Sequence, residues 1–295
     1  VIDSVAILGC GWVGCELGRI LAGRVRAVGV RRSDAGLERV RGAGIDAVQA
    51  DLTDADSLAR VPDVEALVVA ATPDDRTAAA ARRLHVDGLR TAIDHFSGRE
   101  APPDRLVYVS STGVYGDHGG DWVDESTEID PPTAKLEAIA TAERITRERS
   151  GAIDGTVARF GGLYGPERYR MARYVEGPVT AGWLNSIHRD DAAGAIAHLI
   201  ATDARPDIVN VVDGSPVEKH RFADWLAEQC GRPQPPKRSV AERIDALDDP
   251  NGDRGARIRA QKRVAGDRLR SLGFRPRCPS ARAGFAAAVA AGNCP

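Results

Sequence analysis

The chain has 295 residues, is 43% hydrophobic and 28% charged, and carries a formal net charge of -2. That length suits one large or two medium domains with sizeable cores, and the composition is globular rather than disordered. The near-neutral charge argues against a nucleic-acid partner, which needs a strongly cationic surface. No window approaches the roughly 20 apolar residues of a membrane span.

Lysine supplies only four of the 40 basic residues (Lys135, Lys219, Lys237, Lys262), a bias spread along the whole chain and read as genome composition. No signal peptide precedes the first apolar run, so a cytoplasmic location is expected. Five cysteines (Cys10, Cys15, Cys230, Cys278, Cys294) give an odd count without metal-ligand spacing and are expected as free thiols in a reducing compartment.

Short β-branched runs at Val5–Leu8, Val25–Val30, Ala47–Ala50, Ala66–Ala71, Arg105–Ser110 and Thr156–Phe160 are nearly continuous in apolar residues. Such runs suit a parallel sheet covered by helices on both faces. Helical stretches alternate with them, at Gly14–Ala22, Arg76–Phe96 and Lys135–Arg149. Repeated β-α units predict an α/β fold, a Rossmann-type doubly wound parallel sheet. Residues 161–187, rich in Gly, Tyr and Arg, read as a loop-dominated insertion; Asp190–Ala201 reads as a helix and Ile208–Val212 as a strand. After the prolines at 233, 235 and 236, an Arg-rich helix is expected over Ala256–Leu272, and residues 286–291 form a terminal Ala run. The division expected is a dinucleotide-binding domain over residues 1–160, completed by 188–212, and a small C-terminal substrate lobe made of 161–187 and 213–295.

Gly9-Cys10-Gly11-Trp12-Val13-Gly14 follows a predicted strand and opens a predicted helix. In that context Gly9 permits the tight turn, Gly11 lets the backbone approach a pyrophosphate, and Gly14 allows close helix–strand packing. The helix N-terminus offers N–H groups and a positive dipole end to the phosphates. Cys10 reads as a small residue filling the turn. An NAD-selective site places an acidic residue about 20 residues further on, at the end of the second strand. Here Arg31-Arg32-Ser33 follow Val30 instead, which favours NADP(H) over NAD(H); solvated surface arginines are the alternative. Asp51 and Leu52 are placed to meet the adenine. Ala70, Ala71 and Thr72 form a small-residue edge under the cofactor, and Ser110 ends the fifth strand beside it.

With these motifs stand Val109-Ser110-Ser111-Thr112-Gly113-Val114-Tyr115-Gly116, Arg159-Phe160-Gly161-Gly162-Leu163-Tyr164-Gly165-Pro166 and Asn185-Ser186-Ile187-His188-Arg189-Asp190-Asp191-Ala192-Ala193. In this order they resemble the extended short-chain dehydrogenase/reductase superfamily, the NAD-dependent epimerase/dehydratase group, over nearly the whole chain. The resemblance implies an oxidoreductase or epimerase-like function on a small molecule, a sugar nucleotide or another carbonyl or hydroxyl compound. Dimers formed through helices flanking the sheet are common among such relatives, so a homodimer is expected on the same ground.

In that family a Ser or Thr after the fifth strand works with a Tyr-x-x-x-Lys pair, the Tyr passing a proton while hydride moves at the nicotinamide. Ser111, four residues before Tyr115, matches the Ser/Thr position, and Thr112 is its neighbouring alternative. The pair is missing. Aligning on Pro131 and Glu143 puts Lys135 at the Tyr position and Ile139 at the Lys position; keeping Lys135 as the Lys puts Pro131 at the Tyr position. The chain therefore resembles an atypical member, with three readings open. It is an enzyme with a substitute acid, drawn from Lys135, Tyr115 or Tyr164; or a catalytically silent NADP(H)-binding regulator; or an enzyme whose substrate supplies the acid–base group. Lys135 also reads as a solvated lysine at a helix start, and both tyrosines as packing residues. Within the substrate segment, Tyr164, Arg168 and His188 are the candidate contacts, with Arg170, Arg173, Tyr169 and Tyr174 able to meet an anionic ligand. His188 is also placed to anchor the lobe, with Asp190 or Asp191 capping the helix that follows.

Overall fold

The computed structural model describes residues 2–75, 77–148 and 153–295. Arg76 and Arg149, the outer ends of two predicted helices, lie outside the described residues. The chain begins β1 (Ser4–Leu8), α1 (Trp12–Leu21), β2 (Arg26–Arg31), α2 (Asp34–Gly42), β3 (Asp46–Gln49), α3 (Ala55–Leu58) and β4 (Ala66–Val69). Then come α4 (Ala78–Arg82), a π-turn over Arg83–Gly88, α5 (Leu89–Ser97), β5 (Arg105–Ser111), a 3-10 turn over Thr112–Tyr115, β6 (Trp122–Val123) and α6 (Ala134–Glu148). β7 (Asp154–Phe160), β8 (Gly162–Tyr164), α7 (Ala172–Val175), β9 (Val179–Thr180), β10 (Trp183–Leu184), β11 (Ser186–His188), α8 (Arg189–Ala201) and β12 (Ile208–Val211) follow. The chain ends with β13 (Val217–Glu218), α9 (Lys219–Gln229), β14 (Lys237–Arg238), α10 (Val240–Asp245), α11 (Asp253–Arg259), β15 (Arg263–Val264), α12 (Asp267–Ser271) and α13 (Ala281–Ala290).

Two compact units result, the first from residues 1–111, 134–159 and 192–209, the second from 112–133, 160–191 and 210–295. The first is built on a seven-stranded sheet in the order β12-β7-β5-β4-β1-β2-β3. Strand β1 is flanked by β2 and β4, both parallel to it, so the crossovers leave β1 in opposite directions. Open α/β sheets bind ligands at the carboxyl ends of the strands at such a switch point. The strands read as unbroken apolar runs because helices shield both faces: Val5, Ala6, Ile7 and Leu8 have no exposed surface. Helix α1 lies close on the sheet because Gly18 carries no side chain where Ile45 packs.

Two buried charge arrangements tie this unit together. Arg105 donates to the carbonyls of Leu199 (3.1 Å), Ile200 (2.5 Å) and Thr202, closing the C-terminal end of α8. A cation there satisfies orphan carbonyls at the negative end of the helix dipole. Arg159 on β7 reaches Glu143 on α6 through Nε–Oε1 at 2.9 Å and Nη2–Oε2 at 2.6 Å, and Ser110 Oγ on β5 donates to the same carboxylate.

The second unit departs from the sequence reading at several points. Residues 112–133 belong with it, because β6 pairs in parallel with β15 and the N–H groups of His118 and Gly120 donate to the Gln261 carbonyl. The same pairing splits the helix expected over Ala256–Leu272 into α11, β15 and α12. The Ala run is helix α13, capped by Ser280. It packs through Phe285 with Tyr164, Met171, Phe222 and Leu226 in the core of this unit. Cysteine usage is corrected too: Cys230 and Cys294 form a disulfide, while Cys10, Cys15 and Cys278 remain thiols. No helix among the described residues is long and apolar enough to cross a membrane.

Candidate functional site

The loop between β1 and α1 has the geometry that a pyrophosphate requires. Gly9 stands at φ +84°, and a Cβ there would lie 2.3 Å from the Ala71 Cα, so both backbone and neighbour demand glycine. The N–H groups of Gly9 and Cys10 both donate to the Val30 carbonyl at 3.1 Å, which fixes the loop over the end of β2. Above Gly11 the space is open, with nothing nearer than 3.7 Å to a built Cβ. Gly14 presses α1 onto β1, where a Cβ would stand 3.0 Å from Ile7 Cγ2. Helix α1, beginning at Trp12 and Val13, has no side-chain cap. The N-terminus of such a helix presents N–H groups and a positive dipole end toward an anion.

The three residues after Val30 have separate jobs. Arg31 Nη1 lies beside Gly11, and among the described residues this guanidinium has no carboxylate partner. Arg32 is instead paired with Asp51 at 3.3 Å and with Asp74, so its charge is already balanced. Ser33 caps α2 by accepting the Gly36 N–H at 3.3 Å. Of the two arginines, Arg31 is the one without a carboxylate partner among the described residues.

Asp51 accepts the Thr53 N–H and hydroxyl, both at 2.9 Å. Burial opposes its ionisation, but these donors and Arg32 outweigh burial and hold the carboxyl below its usual range. The side chain is a turn anchor, and Leu52 beside it is buried. Ala70 continues β4 by donating to the Leu8 carbonyl at 2.9 Å, Ala71 seats Gly9, and Thr72 follows directly. Ser110 is turned into the sheet toward Glu143, whereas Ser111, the last residue of β5, is partly exposed.

Lys135 lies in the first turn of α6, partly exposed, and Ile139 one turn later is buried. Sequence reading missed its neighbours. His85, buried on the π-turn, is 3.0 Å from the hydroxyl of Tyr108, itself fully enclosed on β5. Burial first, and then the Lys135 charge, pull the His85 pKa down to about 4, so the ring is neutral at pH 7. A His inside a predicted helix and a Tyr on a predicted apolar strand, both facing inward, were the only sequence signals of this pair.

In the second unit both tyrosines proposed as acids are buried. Tyr115 has no exposed surface, and its hydroxyl donates to Asn210 Oδ1 at 2.9 Å. Tyr164 stacks on Phe285 at 4.9 Å, with Gly284 admitting its ring, and burial raises its pKa far above the tyrosine range. Thr112 is buried, with its hydroxyl on the Phe160 carbonyl at 3.2 Å. Arg168 is exposed. His188 is buried between Tyr164 and Tyr169, and its Nδ1 accepts the Asp190 N–H at 3.3 Å. Asp190 pairs with Arg189 at 2.8 Å. Asp191 does not cap α8 as expected: its two oxygens accept the N–H groups of Arg277 (2.7 Å) and Cys278 (2.9 Å).

The comparisons agree with this geometry. The NAD(P)H-binding family matches residues 9–203. A solved structure named for an NAD-dependent epimerase/dehydratase from Methylobacillus flagellatus is 31% identical, covers 99% of both chains and superposes with a TM-score of 0.78. A dTDP-glucose 4,6-dehydratase from Streptomyces venezuelae, solved with NAD bound, is 21% identical at a TM-score of 0.77, covering 98% of this chain and 96% of its own. The UDP-glucose 4-epimerase of Thermotoga maritima is 15% identical at a TM-score of 0.80, with 97% of each chain covered. A search of curated protein sequences found no match. The family match and the Methylobacillus relative place the chain in the NAD(P)H-binding family, as a member of its NAD-dependent epimerase/dehydratase, or extended short-chain dehydrogenase/reductase, group.

Proposed function

We propose that the protein is an NADP(H)-dependent oxidoreductase or epimerase-like enzyme of the atypical kind that lacks Tyr-x-x-x-Lys, acting on a small molecule through a carbonyl or hydroxyl carbon. The observation that carries the cofactor is the Arg31 guanidinium beside Gly11, at the start of a helix without a side-chain cap, which among the described residues has no carboxylate partner. A bound nicotinamide supplies or accepts hydride. Gly9, Gly11 and the first turn of α1 hold the pyrophosphate, and Arg31 holds the 2′-phosphate in a charge-assisted contact. Ser111 orients the reacting oxygen, and Lys135 moves the proton.

Arg31→Ala is expected to weaken NADPH binding by about 10- to 100-fold, the loss of a hydrogen-bonded charge contact, and to leave NADH binding unchanged. Fluorescence titration with each dinucleotide reads both numbers. Equal affinity of the unaltered protein for NADPH and NADH overturns the arginine argument, and failure to bind either overturns the whole reading.

A second reading is favoured by the burial of Tyr115 and Tyr164, which leaves no tyrosine acid among the residues considered for the role. The protein is then an NADP(H)-binding regulator without turnover. A panel of carbonyl and sugar-nucleotide substrates with NADPH separates the two. Turnover that falls in Ser111→Ala and Lys135→Ala supports the enzyme, and turnover unchanged in both removes their catalytic assignments.

A further inference from the structure

Three metal-ligating side chains meet inside the second unit: His188 at the end of β11, Asp191 in the first turn of α8 and Cys278 ahead of α13. A ring nitrogen, a carboxylate oxygen and the sulfur all lie within 4.8 Å of one another. His188 and Asp191 are 8% and 3% exposed, and Cys278 is partly exposed. Asp191 and Cys278 are 87 residues apart, so no ligand spacing shows in the sequence.

Each group is held by its own neighbours. The Asp191 carboxylate is oriented by the N–H groups of Arg277 on Oδ1 (2.7 Å) and Cys278 on Oδ2 (2.9 Å), and the second contact ties the cysteine to it. An ionised carboxylate has about four acceptor sites, so lone pairs remain on both oxygens. Among the described residues Asp191 has no ion-pair partner, and the Cys278 thiol makes no hydrogen bond. The His188 ring is fixed by Tyr164 and Tyr169, with centroids 5.3 Å and 6.3 Å away. Asp190 flanks it, its N–H 3.3 Å and its Oδ2 3.9 Å from His188 Nδ1, so this nitrogen can be held with or without its proton. Either tautomer then has a partner, as a ligand imidazole requires.

A thiolate, an imidazole and a carboxylate together are a donor set for zinc, and three protein ligands leave a fourth position to water. Magnesium and calcium take oxygen instead. With bonds of about 2.0–2.3 Å, the ligand atoms of a tetrahedral zinc stand roughly 3.3–3.7 Å apart. Atoms already within 4.8 Å therefore close on an ion by side-chain rotation alone.

We propose that His188, Asp191 and Cys278 bind one zinc ion, which clasps the segment before α13 to the start of α8. The partly exposed Cys278 side gives the ion its entry and its open position. Coordination breaks the Cys278 S–H bond and forms a zinc–sulfur bond, the proton leaving to solvent and no electron changing hands.

The test uses no dinucleotide, so its failure leaves the cofactor reading untouched. Zinc and cobalt(II) are titrated into the full chain in oxygen-free buffer without reductant, which keeps the Cys230–Cys294 bond closed. The expected result is one ion per chain at micromolar affinity or tighter, with sulfur-to-metal charge transfer and four-coordinate bands in the cobalt spectrum. Cys278→Ser, at a partly exposed position, should weaken zinc binding by at least about 100-fold, beyond the cost of losing a group outside the coordination shell. Asp191→Asn should do the same, with circular dichroism confirming that both variants are folded. Cys15→Ser removes a thiol of the first unit and should leave zinc affinity as it was. Full affinity in Cys278→Ser, a cobalt spectrum without charge transfer, loss of binding in Cys15→Ser, or magnesium binding as tightly as zinc overturns the site.

Discussion

Replacing Glu143 by Gln is expected to lower the stability of the first unit by about 3–5 kcal/mol, the cost of leaving a buried ionic partner alone. Glu143 and Arg159 have side chains 3% exposed, so water cannot take over the lost contact. The glutamine can still accept one hydrogen bond through its carbonyl. Its amide cannot accept the guanidinium N–H groups that the carboxylate held, and the buried Arg159 charge loses that carboxylate. Joint replacement by Glu143→Met and Arg159→Leu removes both charges and should recover most of the loss, since apolar residues often equal a buried ion pair in stability. Urea unfolding of the parent, of Glu143→Met, of Arg159→Leu and of the double variant closes a double-mutant cycle, with Glu143→Gln measured beside it. A single-variant loss below about 1 kcal/mol is the value of an exposed pair and would contradict the burial. The cluster also bears on function. Ser110, held by the same carboxylate, precedes Ser111 on β5, so loosening it should lower turnover of any substrate that depends on Ser111.

The glycine loop and the sheet were legible in the sequence because their causes are local. Gly9 takes a positive φ in the turn after β1 and Gly14 meets Ile7 and Cys10 within the same β-α unit, and the apolar strands announce a covered parallel sheet. Charge partners were not legible, because they come from distant segments. Arg32 reads as free until Asp51 and Asp74 are beside it. Tyr115 follows Ser111 at the family's spacing, but the hydroxyl is claimed by Asn210, 95 residues away. Lys262 looked like one cation in an Arg-rich helix. Pairing of Arg263 and Val264 with Trp122 and Val123 makes that stretch a strand, and its lysine is buried as a result.

Reduction of the Cys230–Cys294 disulfide is expected to destabilise the second unit by about 4 kcal/mol, the loop-closure entropy released to the unfolded chain for a bridge of this span. The two residues are 64 apart in sequence, and the closed loop contains β14, α10, α11, β15, α12 and α13. Much of the lobe is therefore preorganised by this one bond: β15 pairs with β6, and α13 supplies Phe285 to the core. The other elements in the loop are short, and helices of five to seven residues such as α10, α11 and α12 have little stability of their own. A Cys230→Ser/Cys294→Ser variant should reproduce the effect of reductant, and reductant should then change nothing further, since Cys10, Cys15 and Cys278 are already thiols. Urea unfolding followed by the tryptophans of the second unit measures the loss, and a shift below about 1 kcal/mol would mean that the bond does not constrain the unfolded chain. Dinucleotide affinity supplies the control. The glycine loop and Arg31 belong to the first unit, so NADPH binding should survive reduction under conditions where both units remain folded.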